Sequence, residues 1–136
     1  MQALILFVGN SLLAREILLV KNEIAKILKS KQYLIAQNDF LLSALVAGED
    51  RRFFEHHGYD PIAITRAIRN KLLHNKTEGA STIEQQLVRT IIGSYEKTLS
   101  RKAKEILIAR TLKYSFSKHE IAYSYISTAY YGWSMN

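Results

Sequence analysis

Three polar stretches interrupt an otherwise apolar chain, and each carries side chains able to move a proton or hold an anion. The first runs Glu49-Asp50-Arg51-Arg52-Phe53-Phe54-Glu55-His56-His57-Gly58-Tyr59-Asp60. Three carboxylates, two arginines and two histidines fall between Glu49 and His57, and such groups serve as general acids and bases. Neighbouring histidines point in different directions and no spaced third ligand follows them, so a histidine metal centre is not expected. Composition alone also allows a solvated loop between two helices.

The second stretch is Gly79-Ala80-Ser81-Thr82-Ile83-Glu84-Gln85-Gln86-Leu87-Val88-Arg89-Thr90. A helix start lined with Ser and Thr presents backbone N–H groups and a positive dipole end, which suits an anion. Gln85 and Arg89 are four apart and share a helical face. A capped surface helix is the plainer alternative. In the third stretch, Arg101-Lys102-Ala103-Lys104-Glu105, Arg101 and Glu105 lie one turn apart. Alone this describes a surface ion pair worth at most about 1 kcal/mol.

Helices must position these residues. Leu13, Ile17, Val20, Ile24, Ile27 and Leu28 recur at helical spacing and predict an amphipathic helix over roughly Leu12 to Lys29. That helix either packs on the core or lays its apolar face on a membrane. Asn38 or Asp39 caps a short helix through Val46, and Gly48 breaks the pattern before Glu49. Asp60-Pro61 starts the next helix, with Ile64, Ala67, Ile68 and Leu72 expected inside. His74 to Gly79 reads as a loop. Ser81 with Glu84 forms a capping-box pattern before Ile83, Leu87 and Ile91, and Gly93-Ser94 ends that helix. A helix over Arg101 to Lys113 turns Ile106, Ala109 and Leu112 inward. Ser117 and Glu120 open the last one. The alternation of strands is nearly absent, so the fold class is all-α.

The whole is one modest core's worth of chain, 136 residues with one proline and six glycines. Its net charge of +7 favours an anionic partner: nucleic acid, phospholipid head groups or a phosphorylated substrate. With no cysteine, neither disulfides nor thiolate metal sites arise. The apolar runs Ala3 to Val8 and Leu12 to Val20 fall short of the roughly 20 residues that span a bilayer. They also lack the marks of a signal peptide, so a targeting element is expected to be missing, atypical or supplied by another chain.

Together the stretches resemble one family. Glu-Asp-x-x-Phe-x-x-His-x-Gly at Glu49 to Gly58 is similar to the first signature of the peptidoglycan glycosyltransferases. These are the transglycosylase domains of bifunctional penicillin-binding proteins and their monofunctional relatives. Gly79 to Thr90 resembles the second signature, Arg101 to Glu105 the third, and Ser117 to Ile121 with Tyr130-Tyr131-Gly132 the fourth. The resemblance spans about two thirds of the chain, from Leu42 to Gly132. Arg89 and Thr90 stand where the family usually has Lys and Asn, Ser127 where it has Asn, and Ala122 where it has Leu.

The resemblance implies a lysozyme-like helical glycosyltransferase domain, here C-terminally truncated, since the family domain continues past its Tyr-x-Gly. The division it suggests is an N-terminal amphipathic segment, 1–37, and a partial glycosyltransferase domain, 38–136. The helices lacking at the end would leave apolar surface for a partner or rearranged packing to cover. Its substrate would be lipid II, a disaccharide on a polyprenyl diphosphate, together with the growing glycan chain. Its place would be the outer, periplasmic face of the bacterial cytoplasmic membrane, beside cell-wall synthesis proteins.

The resemblance assigns catalytic roles to Glu49 and Glu105. A partly buried carboxylate at Glu49 would suit proton removal near neutral pH. Asp50, Ser81, Thr82, Gln85, Gln86, Arg89, Arg101 and Lys102 would bind or orient substrate. Glu105 would orient a basic side chain or hold a divalent cation, Mg2+ or Mn2+. Phe53 and His56 would support the loop. A truncated, inactive homologue that binds the lipid-linked precursor or a cell-wall synthesis partner is the alternative. A lysozyme-like hydrolase ranks below both, because hydrolysis gives the Ser-Thr-x-x-Gln-Gln segment and its cations no task. Nucleic-acid binding ranks last: the basic residues do not gather on one helix with base-reading side chains.

Overall fold

The computed structural model describes the backbone of residues 2–130 and the side chains of 11–129. Tyr131 and Gly132, and hence the end of the fourth signature, lie outside the described residues, as do the side chains of Ala3 to Val8. Seven helices follow in order: α1 (Gln2–Ile27), α2 (Lys31–Ala36), α3 (Asp39–Glu49), α4 (Pro61–His74), α5 (Ile83–Ile92), α6 (Leu99–Leu112) and α7 (Lys118–Tyr130). A 3-10 turn at Phe53–Glu55 sits between α3 and α4. There is no strand among the described residues.

The core gathers around α5, which packs against α6, α7 and α1. Ile83, Leu87 and Val88 of α5 meet Ile108 and Leu112 of α6, Ile121 and Ile126 of α7, and Val20, Ile24 and Ile27 of α1 in one buried cluster. The stripe predicted for α1 is the stripe that is buried, with Leu13, Ile17 and Leu28 at its edges. Each such Ile or Leu contributes roughly 1.5–3 kcal/mol when fully withdrawn from water. The Lys104–Glu16 ion pair, 3.0 Å, adds a polar tie between α1 and α6.

Local signals place most boundaries. Asn38 caps α3 by accepting from Phe40 and Leu41, and Asp60 caps α4 by accepting from Ile62 and Ala63 ahead of Pro61. Ser117 and Glu120 form the full reciprocal box: Glu120 Oε2 accepts from Ser117 N at 2.7 Å and Ser117 Oγ from Glu120 N at 3.2 Å. Gly93 ends α5 in the left-handed conformation at φ 70.

Four expectations need correction. Gly48 does not break α3, which continues through it to Glu49. Thr82, not Ser81, caps α5, because Ser81 is engaged elsewhere. α6 begins at Leu99 under a Thr98 cap, earlier than Arg101. No residue of α4 is buried, and Ile68 and Leu72 are 57% and 79% exposed. Amphipathic spacing on α4 marks an apolar face, but no layer among the described residues covers that face.

Candidate active site

Glu49 is the last residue of α3, and its side chain stands exposed at the end of the helix. It is therefore not the partly buried carboxylate expected. Its Oε2 accepts a hydrogen bond from Gln86 Nε2 at 3.1 Å, and Gln86 Oε1 accepts one from Tyr125 at 2.9 Å. Asp50, the next residue, turns inward and is buried. It takes His56 Nε2 at 2.9 Å on Oδ1 and the backbone N–H of Ile83 at 3.2 Å on Oδ2. Asp50 thus fastens the loop to the first residue of α5.

That same loop is held by its glycine. Gly58 N donates to Glu84 Oε1 at 3.3 Å, while Gly58 O accepts from Thr82 Oγ1 at 3.2 Å and Gln85 Nε2 at 2.8 Å. Gly58 has φ +83, and a Cβ there would lie 2.6 Å from the backbone nitrogen of Arg110. Only glycine fits such a backbone-to-backbone approach in this conformation. Glu84, read above as a capping-box partner, is buried and pairs with Lys118, whose ammonium also lies 3.9 Å from the centre of the Phe53 ring. The first turn of α5 is consequently no open anion site. Asp50 takes the Ile83 N–H, and Thr82 Oγ1 takes that of Gln85 at 3.3 Å.

The cationic groups lie on side chains instead. Glu105 is 3% exposed and ringed by Arg89, Arg101 and Lys102. Arg89 grips it as a fork, Nε to Oε1 at 2.9 Å and Nη2 to Oε2 at 3.2 Å, and Arg101 Nη1 also reaches Oε1. Lys102 Nζ is 3.9 Å from Oε2 and donates to Ser81 Oγ at 2.7 Å and Gln85 Oε1 at 2.5 Å. Arg89 Nη2 approaches the same Ser81 oxygen at 3.4 Å. Three cations around one carboxylate leave a net charge of +2. The Glu105 hydrogen bond holds the Arg89 guanidinium above its usual range, against the effect of burial. Burial pushes the Lys102 ammonium below the ordinary lysine value, and Arg89 and Arg101 push the same way. Glu105 offsets part of that shift.

Glu49 and Ser81 line one cavity of about 400 Å³, together with Asp50, Arg51, Arg66 and Thr82. One cavity is therefore lined both by an acid and by a hydroxyl that accepts hydrogen bonds from a lysine and an arginine. Arg66 and Glu78 approach to 3.5 Å across the α4 side of the same cavity. Glu49 and Gln86 form the acidic part of the site, and Ser81, Gln85 and Lys102 with the Glu105 cluster form the cationic part; Arg89, Arg101 and Glu105 line a neighbouring cavity of about 130 Å³ rather than this one. Consecutive residues of α5, Gln85 and Gln86, join the two.

A family model described as Transglycosylase matches residues 20–136. This chain belongs to the transglycosylase family. Penicillin-binding protein 1A of Vibrio cholerae is 46% identical over 94 residues, 68% of this chain and 11% of that protein. Penicillin-binding protein 1F of Bacillus subtilis is 43% identical over 90 residues, 65% of this chain and 13% of that protein. The monofunctional glycosyltransferase of Staphylococcus haemolyticus is 34% identical over 113 residues, 82% of this chain and 42% of that protein. The chain thus spans less than half the length of these relatives.

The departures from the usual transglycosylase residues are accommodated. Arg89 uses its planar fork on Glu105, a bidentate grip that a lysine cannot make. Thr90 bonds back to Gln86 O at 2.9 Å. Ala122 and Ser127 are both fully buried on α7, and the Ser127 hydroxyl donates to Tyr123 O at 2.8 Å. The small side chains allow α7 to pack without an orphaned hydroxyl at Ser127.

A divalent cation does not fit Glu105 in this transglycosylase domain. Both its oxygens face cations, and a further dication would meet a net positive surrounding. Asp50, His56 and Asp60 bring ligand atoms within 4.8 Å of one another. Their oxygens are already taken by the backbone of Ile62, Ala63 and Ile83 and by Arg52, 3.1 Å from Asp60. Burial opposes the charge on Asp60, yet the N–H groups of Ala63 and Ile62 and the Arg52 guanidinium hold its carboxyl below the usual range. These acids are the frame of the loop. Sequence reasoning missed Tyr125 as part of the site. It stands on the core-facing side of α7, where an aromatic residue reads as packing.

Proposed function

We propose that the chain acts as a peptidoglycan glycosyltransferase on lipid II at the outer face of the bacterial cytoplasmic membrane. The observation that carries this reading is the cavity lined by both Glu49 and Ser81, with Lys102 and Arg89 bonded to the serine. In this scheme the donor's diphosphate rests against Ser81, Lys102, Arg89 and Arg101. Fixed positive charge stabilises the negative charge that grows on the leaving oxygen. Glu49 accepts the proton of the acceptor sugar's 4-hydroxyl. That oxygen forms the new glycosidic bond to the donor's anomeric carbon with inversion, and the bond to the diphosphate oxygen breaks. General base catalysis of this kind is worth about 10²–10⁴-fold. Mg2+ or Mn2+ enters this reading only as a counter-ion of the diphosphate, outside the Glu105 ring.

One feature supports a membrane-surface location. The exposed helix α4 carries Ile62, Ile68, Leu72 and Leu73 beside Arg66, Arg69 and Lys71, a composition suited to an anionic lipid surface. No helix among the described residues is long and apolar enough to cross a membrane. A second reading, binding of the lipid-linked precursor without turnover, is favoured by the exposure of Glu49.

The test is incubation of labelled lipid II with the purified chain. Slow formation of glycan strands, accompanied by release of polyprenyl diphosphate, is expected. Binding without strands would favour the second reading. Neither binding nor strands would overturn both.

A further inference from the structure

We infer that Tyr125 is a positioning residue for Glu49, acting through the side-chain amide of Gln86. The inference deepens the glycosyltransferase reading and rests on it for its kinetic consequence. Its structural part stands on the geometry alone.

A glutamine amide has two chemically different ends, and its neighbours decide which way it points. An ionised carboxylate only accepts, so Gln86 must turn Nε2 toward Glu49, which it meets at 3.1 Å. Its Oε1 is then left for the other side, where the Tyr125 hydroxyl lies at 2.9 Å and must donate. Each bond fixes the sense of the other. With the tyrosine hydroxyl gone, the amide loses the partner that makes the flipped state unfavourable. A flipped amide would set a carbonyl oxygen against the Glu49 carboxylate and drive it away.

The consequence falls on an otherwise loosely held acid. Glu49 is exposed, it ends its helix, and among the described residues Gln86 is the side chain that bonds its carboxylate. Positioning of a reacting group depends on such supports. Tyr125 comes from α7, whereas Gln86 is on α5 and Glu49 on α3. Three helices thus converge on one acid through two hydrogen bonds. Tyr125 also lies near Arg89, so its removal can act by a second route. The experiment must separate the two routes.

A double-mutant cycle does so. Tyr125→Phe should lower kcat for lipid II polymerisation roughly 3–10-fold, the worth of one neutral hydrogen bond, with KM within about twofold. In a Gln86→Ala background the same change should have no further effect on kcat. An equal loss in both backgrounds, or a change confined to KM, would overturn the inference. A second readout works without turnover: the side-chain amide NMR signals of Gln86. In the wild type they should be those of an amide held against a carboxylate, and Glu49→Gln should shift them. Tyr125→Phe should collapse the signals toward those of a solvated amide. Unchanged Gln86 signals in Tyr125→Phe would refute the relay. If the wild type forms no strands, the glycosyltransferase reading fails while the NMR arm still decides the relay. Should Tyr125→Phe not fold, Gln86→Met cuts both bonds, and the labelled Glu49 carboxyl signal should then show added motion. No added motion would count against the inference.

Discussion

Replacing Gly58 with alanine adds one carbon to the most crowded backbone contact of the site. The new Cβ would lie 2.6 Å from Arg110 N, 2.8 Å from Ala109 C and 2.9 Å from Arg110 Cα, all main-chain atoms of α6 that cannot swing aside. The residue would also hold φ +83, a conformation that costs an L-residue roughly 1–2 kcal/mol. Overpacking adds typically about 1–3 kcal/mol, so the expected loss is about 2–5 kcal/mol. That is a large share of the roughly 5–15 kcal/mol by which a domain is stable. Moving the loop off α6 would also strain the Gly58 carbonyl's bond to Gln85, whose other end receives Lys102. Urea unfolding followed by circular dichroism measures the change: the midpoint should fall with the slope unchanged. A loss below about 1 kcal/mol would refute the reasoning and show that the loop can slide away from α6 freely.

Three further outcomes follow from the same network. Lys102 binds its proton less tightly in the folded chain than its ordinary value of 10.5, so unfolding takes up protons in the window between the two. Its unfavourable contribution to stability is present below the folded value and is relieved as pH rises toward 10.5. Activity runs the other way: kcat/KM should fall on the alkaline side at a pH below the ordinary lysine range, and Lys102→Arg should move that fall upward out of the window. A fall at the same pH in the arginine variant would exclude Lys102 as its source. Asp50→Ala strands the buried Ile83 N–H and the His56 imidazole, and should cost about 2–4 kcal/mol in denaturant melts. A change under 1 kcal/mol would mean that water replaces the carboxylate at no cost.

The helices were legible where a local device marks them. Asp60-Pro61, the Ser117 and Glu120 pair and Gly93 each act within a few residues of themselves, and each stands where the sequence puts it. The cap of α5 was not legible, because Ser81 and Thr82 can each cap. The choice is made by Lys102, from α6, and Arg89, farther along α5, which both donate to the Ser81 hydroxyl. Periodicity likewise showed an apolar face on α4 but held no information on whether another element covers it. Glu84 misled for a related reason. It stands three residues after Ser81, as a capping-box acid does, yet it falls on the face of α5 that is buried with Leu87 and Val88. Its real partners, Gly58 and Lys118, are far away in the chain. The spacing of Arg101 and Glu105 suggested a surface pair, whereas Arg89, arriving from α5, makes it the centre of a cationic group.

In the proposed division of labour the cationic cluster around Ser81 and Glu105 holds the diphosphate, and Glu49 moves the proton. Glu49→Gln tests it when affinity and turnover for lipid II are measured on the same preparation. Strand formation should fall by at least about 100-fold, while the dissociation constant stays within about threefold. Undiminished strand formation by the variant would contradict the account, whatever its affinity.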